Sequence, residues 1–421
     1  MRPLNKIAVF GLGKLGACIA ATLAARGFQV LGVDIDPEKV RRINAGEAPV
    51  EEPLLAETIR KGRGCLRATS DVNEARDTDA SCYIPPSPSL LDGSFSTEFL
   101  LRAMQPMARA VRAAGNQGHI FVVNSTTTPG SMRGVILPML EHETGWTCGR
   151  EFGLCYNPEF IALGDVVRGL LEPDMVLIGE SDANSGQRLA DLYQRYNTNH
   201  PHVARMSLTS AELTKISVNS FITMKISFTN QLRLIAGKFP DANIHDMLAA
   251  IGCDSRIGSK YLRAGLSFGG PCFPRDNRLV SYVARRHGLE APLAEATDRV
   301  NEATKHALAE QVAALVQPGD TVLLLGMAYR PHTYIVEESA GLYLAHHLKQ
   351  RGCRVLVHDY QAKPENSPSL IEFENLDSPE ALPKDARPKA VALCCPWPQY
   401  RDVVLPTGAQ VIDPWGLRRD A

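Results

Sequence analysis

The chain of 421 residues carries 45 basic and 46 acidic side chains, with 44% apolar and 22% charged residues. This length exceeds one ordinary hydrophobic core, so two or three domains are expected, and the even charge balance excludes a global attraction to nucleic acid. Ten cysteines without a C-x-x-C pair argue against a structural zinc site or a small disulfide scaffold, so no metal is expected.

Met1 runs straight into the strand-like Ile7–Phe10, which leaves no room for a signal-type segment, and no stretch is long enough to span a bilayer. A cytoplasmic protein with no membrane partner is the expectation. In chain order, Ile7–Phe10, helical Ala17–Arg26 and Gln29–Val33 come first, with later strands at Ser81–Ile84 and Ile120–Val123. This alternation predicts an α/β fold with a parallel, doubly wound sheet.

Between the first strand and the first helix stands Gly11-Leu12-Gly13-Lys14-Leu15-Gly16. Glycines at that place permit a tight turn and let a pyrophosphate approach the helix N-terminus, where free N–H groups and the helix dipole favour negative charge. Asp34 ends the second strand, where a carboxylate accepts hydrogen bonds from ribose hydroxyls and repels a 2′-phosphate. NAD is therefore expected rather than NADP.

Further along, Asn157-Pro158-Glu159-Phe160 sets a carboxylate beside a proline. From Thr209 to Ala236 the chain has neither Gly nor Pro, and Thr209 with Glu212 forms a capping-box pattern ahead of a stop at Gly237. A helix of roughly 28 residues spans on the order of 40 Å, so it is read as a connector and candidate dimer surface, with a long helix inside a monomer as the alternative. Lys215 and Asn219 are four apart on it and share a face with Ile222 and Ile226. Taken alone, that segment fits a snorkelling or salt-bridged lysine equally well.

Next comes Leu266-Ser267-Phe268-Gly269-Gly270-Pro271-Cys272-Phe273-Pro274-Arg275-Asp276, in which two glycines and two prolines predict a rigid turn exposing the Cys272 sulfur. Near the C-terminus, Thr321–Leu325, helical Gly341–Gln350 and Arg354–Val357 ending at Asp359 repeat the first βαβ unit. Both copies carry an Arg-Gly break, at Arg26-Gly27 and Arg351-Gly352.

The glycine loop, the Asn157–Phe160 run, the Lys215/Asn219 helix and the Cys272 segment together resemble the UDP-glucose/GDP-mannose dehydrogenase family. Pro86–Ser94, Ser125–Gly130 and Asp254–Gly258 extend the resemblance over essentially the whole chain. It implies two Rossmann-like domains joined by a long helix and a helical dimerisation domain: residues 1–203 for NAD, 204–302 for dimerisation and 303–421 for the nucleotide sugar. It also implies a homodimer or higher homo-oligomer, and a four-electron oxidation of a sugar C6 alcohol through a thioester on Cys272, with UDP-glucose the best match to the cysteine segment.

In that chemistry Lys215 and Asn219 donate to the reacting oxygen, Asp276 is a base acting through water, and Glu159 activates the hydrolytic water. Ser87 and Thr126 match cofactor positions, with Ser87 standing where threonine is usual. Phe160, Tyr261, Leu262, Phe268, Gly269 and Arg330 match substrate positions, and Arg256 resembles an arginine that reaches the substrate from a partner subunit.

The chain departs from the family's C-terminal signature. Arg330 replaces a lysine, Tyr334 and Ile335 replace aspartates, and Glu337 replaces an arginine that contacts substrate; Leu163 and Asp413-Pro414-Trp415-Gly416 also differ. Reversing a charge beside a diphosphate costs affinity unless another cation compensates. Three other readings remain open from sequence: another UDP- or GDP-sugar as substrate, a two-electron β-hydroxyacid dehydrogenase, and a catalytically silent NAD-binding protein.

Overall fold

A computed structural model describes residues 3–161 and 164–418, so Leu163 lies outside the described residues. The chain forms two compact units, Met1–Lys215 and Ile216–Ala421.

The first unit is built on eight strands: β1 (Lys6–Phe10), β2 (Gln29–Val33), β3 (Leu66–Thr69), β4 (Ala80–Tyr83), β5 (His119–Val123), β6 (Phe152–Tyr156), β7 (Met175–Glu180) and β8 (His202–Ser207). They run in the order β3-β2-β1-β4-β5-β6-β7-β8. All neighbours are parallel except β6 and β7, which pair antiparallel over Cys155–Tyr156 and Gly179–Glu180. Unbroken apolar runs such as Ile120–Val123 arise because both faces of the sheet are covered, one by helix residues such as Ile19, Leu23 and Leu189, the other by Leu100, Met104 and Met107. The strand order reverses between β1 and β4, which opens a crevice at the carboxyl ends of the strands.

The first helix, Lys14–Ala25, begins three residues before the expected Ala17. Gly16 lies inside it because any Cβ there would come within 1.8 Å of the Gly11 carbonyl oxygen. The long helix runs Leu208–Ala236, roughly 43 Å at the standard rise.

The expected capping box at its start is not formed. Ser207 Oγ accepts from the Ser210 N–H at 3.2 Å and caps the helix instead. Glu212 is fully buried and accepts from Thr127 Oγ1 (2.8 Å), the Gly130 N–H (2.8 Å) and the Met132 N–H (3.0 Å), fastening the helix to the turn after β5. Burial pushes its carboxyl up and these donors oppose the shift. Truncating Glu212 removes the acceptor of three donors, two of them buried, so Glu212→Ala is expected to cost about 3 kcal/mol of stability. The check is the denaturant midpoint, which should fall for Glu212→Ala and much less for Glu212→Gln.

The second unit holds a parallel sheet ordered β11-β10-β9-β12-β13, from β9 (Thr321–Leu325), β10 (Arg354–His358), β11 (Glu374–Asn375), β12 (Pro388–Leu393) and β13 (Gln410–Ile412). The helices Phe273–Arg286 and Pro292–Ala313 belong to this unit as well. The βαβ repeat extends to detail. Gly27 and Gly352 both end their helix in the left-handed region, at φ +88° and +80°. Asp34 accepts from the Leu12 N–H (2.5 Å) as Asp359 accepts from Met327 and Ala328 (2.7 and 3.0 Å). The copies differ at the following helix: Gly13 offers no side-chain cap, whereas Ser339 caps the Ala340–Gln350 helix through the Leu342 N–H. Among the described residues, no helix is long and apolar enough to cross a membrane.

Candidate active site

At the carboxyl end of β1, Gly11 adopts φ +93° and Gly13 faces open space, with nothing within 4 Å of where a Cβ would stand. The helix that Lys14, Leu15 and Gly16 begin has no side-chain cap at Gly13, and its N-terminus points its dipole at the place a pyrophosphate would take. Asp34 is buried at the end of β2, accepts from Leu12 and Asp36, and has Lys39 Nζ at 3.5 Å. The next residue, Ile35, is 98% exposed. Ser87 is buried in the segment after β4, and Thr126 follows β5 beside Ser125, whose hydroxyl donates to the Pro85 carbonyl. A dinucleotide fits this crevice: glycines where its phosphates approach, a helix N-terminus for their charge, and a carboxylate for its ribose. Asp34→Ala should raise the dissociation constant for NAD by roughly tenfold or more; titration of the protein with NAD⁺ gives the value.

The loop after β6 carries Asn157–Phe160. Asn157 is fixed by donating to Leu177 O (2.8 Å) and by receiving the Tyr193 hydroxyl. Within the same unit, Lys215 is buried with its ammonium 4.8 Å from the centre of the Phe160 ring, a cation–π arrangement, so it is not a snorkelling side chain. Glu159 lines a small buried cavity with Cys82, Asn124, Tyr193 and Tyr196. Burial pushes its carboxyl up to about 7, against the lowering charge of Lys215.

In the second unit, Cys272 is the N-cap of the Phe273–Arg286 helix. Of the ten cysteines, Cys253 and Cys272 are exposed, whereas burial pushes Cys18, Cys82 and Cys394 up to about 12. Cys253 ends the helix Ile244–Cys253, where the dipole opposes a thiolate; Cys272 begins one, where the dipole favours it. Asp276 lies one turn further on, its N–H donating to the Cys272 carbonyl at 2.9 Å. Asp276 is buried and its Oδ2 receives the Asn219 amide at 2.6 Å. Its neighbour Asn277, fully buried, receives the Ser220 hydroxyl at 2.7 Å and donates to Asp298 at 2.8 Å. Two successive residues of one helix thus grip two successive residues of the long helix.

The glycines before Cys272 are required by contact. A Cβ on Gly269 would stand 2.4 Å from the Glu338 carbonyl oxygen, and Gly270, at φ +80°, would place one 2.7 Å from the Tyr329 ring. Phe273 joins the aromatic residues Tyr261 and Phe268 edge to face, with Leu262 buried beside them in sequence. Arg256 is exposed and paired with Asp254 at 2.6 Å, apart from these residues. In the departing segment, Arg330 Nε donates to the Pro331 carbonyl at 3.3 Å, Tyr334 packs against the core and Glu337 is exposed. Sequence reasoning missed Glu212, Asn277, Asn301 and Glu338. Asn301 donates to the Phe268 carbonyl and accepts from its N–H at 3.0 and 2.8 Å.

Residues 5–197 match the NAD binding domain of the UDP-glucose/GDP-mannose dehydrogenase family, 209–303 its central domain and 323–417 its UDP binding domain. The chain is 32% identical to the UDP-glucose 6-dehydrogenase AglM of Haloferax volcanii over 94% of its length and 92% of that protein. It is 33% identical to the GDP-mannose 6-dehydrogenase of Azotobacter vinelandii, covering 84% of this chain and 81% of that one. A UDP-glucose dehydrogenase structure from Pyrobaculum islandicum superposes with TM-score 0.90 at 32% identity, over 99% of this chain and 95% of that one. With a dinucleotide crevice in one unit and a solvent-facing helix-capping cysteine in the other, the chain belongs to the UDP-glucose/GDP-mannose dehydrogenase family, the NAD-dependent nucleotide-sugar 6-dehydrogenases.

Proposed function

We propose that the protein oxidises UDP-glucose to UDP-glucuronate through a thioester on Cys272. The observation that carries this reading is Cys272 itself, an exposed thiol at a helix N-terminus with the Asp276–Asn219 pair one turn beneath it. When bound, NAD⁺ supplies the hydride acceptor for each of two successive two-electron oxidations. The glycine loop and Asp34 would hold its phosphates and ribose, Ser87 and Thr126 would contribute from the segments after β4 and β5, and exposed Ile35 would offer the adenine an apolar surface.

Lys215 and Asn219 donate to the substrate oxygen as negative charge grows on it. The Cys272 thiolate adds to the aldehyde carbon, forming a C–S bond while the carbonyl oxygen takes a proton. After the second oxidation the adduct is a thioester. Glu159 then takes a proton from water as the water oxygen adds, the C–S bond breaks, and the thiolate and carboxylate part. Asp276, one turn after Cys272, orients Asn219 and serves as a proton acceptor through water.

The division into an NAD-binding part (1–203), a dimerisation part (204–302) and a nucleotide-sugar part (303–421) belongs to the same proposal. Phe221, Phe228 and Ile235, 60%, 50% and 51% exposed at seven-residue intervals along the long helix, form an apolar stripe that supports a homodimer. In that dimer Arg256, together with Phe160, Tyr261, Leu262, Phe268, Gly269 and Arg330, is assigned to the sugar nucleotide.

GDP-mannose is the second reading, favoured by the Azotobacter relative's similar identity. A panel of UDP-, GDP- and TDP-sugars assayed for NADH release separates them. UDP-glucose should give the highest kcat/KM; preference for GDP-mannose would overturn the first reading.

A further inference from the structure

The segment in which this chain departs from its family lies against the turn that carries the cysteine. The Gly270 N–H donates to the Glu337 carbonyl at 2.8 Å, and the Glu338 carbonyl occupies the space a Gly269 Cβ would need. Glu338 reaches this position with φ +55°, a conformation that L side chains rarely adopt. Such a backbone persists only where its surroundings over-determine it. Two cations do so here: Arg278 Nη2 lies 2.9 Å from Glu338 Oε1, and Lys305 Nζ donates to Oε2 at 3.2 Å.

Both cations belong to helices that touch the cysteine turn by other means. Arg278 is on the helix that Cys272 caps. Lys305 is buried one helical turn beyond Asn301, whose side-chain amide brackets both backbone groups of Phe268. The turn from Phe268 to Cys272 is therefore held at its start by Asn301, in its middle by the Glu337 and Glu338 carbonyls, and at its end by its own helix. One carboxylate ties these supports together.

We propose that Glu338 is a positioning residue for Cys272. Clamped by Arg278 and Lys305, it holds the Gly269-Gly270 turn so that the sulfur stays at the helix N-terminus. This rests on Cys272 being the nucleophile, and the two claims fail separately. Loss of the carboxylate frees the Glu338 backbone to leave its left-handed conformation, the turn loosens, and the thiol spends less time where the helix dipole favours the thiolate.

The test is the rate at which iodoacetamide alkylates Cys272 as a function of pH in the full-length protein, with Cys272→Ala identifying the labelled peptide. Glu338→Gln keeps size and shape but removes the charge. It should slow alkylation at neutral pH by about threefold or more and move the midpoint of the pH curve upward. Glu338→Asp should recover part of both. Arg278→Met, which alters a half-exposed side chain, should act in the same direction with a smaller effect and keeps the test open if Glu338→Gln does not fold. A purely structural role lowers the melting temperature without moving the midpoint. Wild-type alkylation rates and midpoint in folded Glu338→Gln, or in Arg278→Met where that variant alone folds, would overturn the proposal. The Cys272 reading itself falls only if Cys272→Ala still makes acid.

Discussion

Replacing Cys272 with alanine is expected to reduce carboxylate formation on the order of a thousandfold or more, while binding of NAD⁺ stays near the wild-type level. The size follows from what the thiol does. Without a covalent adduct, the second oxidation needs a hydrated aldehyde, which the protein has no comparable group to form and hold. The cofactor crevice is built within the other compact unit, from Gly11, Gly13 and Asp34 at the ends of β1 and β2, and its own residues are unchanged by the substitution. Cys272→Ser is a useful companion, since a hydroxyl at the same helix N-terminus lacks the acidity of a thiol and should be nearly as inactive. Quantifying acid by chromatography, alongside NAD titration, checks both parts.

The second large effect is expected from Lys215→Met, which removes a buried cation and keeps most of the stem's volume. A donor aimed at developing oxyanion charge is worth about 100- to 1,000-fold in kcat, and a loss of that order is predicted. The same change has a pH signature. Burial holds Glu159 up to about 7, and Lys215 opposes that rise. As the base in thioester hydrolysis, Glu159 must be ionised, so the hydrolytic step should gain rate as pH rises through about 7 and lose it below. Removing Lys215 takes away the lowering charge and should move this limb to higher pH. A pH–rate profile of both proteins decides; an unmoved limb, or one displaced to lower pH, contradicts the electrostatic influence of Lys215 on Glu159.

Local patterns in the sequence carried most of the first unit. The Gly11–Gly16 loop is legible because its glycines, the strand before it and Asp34 occupy one short stretch whose geometry only a strand–turn–helix unit satisfies. The second βαβ copy was legible for the same reason, through Arg351-Gly352 and Asp359. The Thr209–Glu212 spacing misled because a capping box is a local inference, whereas Glu212 is claimed by donors about 80 residues earlier in the chain. Glu338 and Asn301 were missed for the complementary reason: their partners stand 33 or more residues away in sequence, so even beside the departing Glu337 nothing local gave Glu338 its role. Among the substrate assignments, Arg256 pairs with Asp254 within its own loop, and its assignment to the substrate belongs to the proposed dimer.

The central claim is a four-electron oxidation completed on one enzyme, and the most direct measurement is the ratio of NADH formed to sugar nucleotide consumed, taken to completion with limiting substrate. The account predicts two NADH per sugar nucleotide with the carboxylate as product and no free aldehyde. One NADH per substrate, with a carbonyl product accumulating in solution, would contradict it.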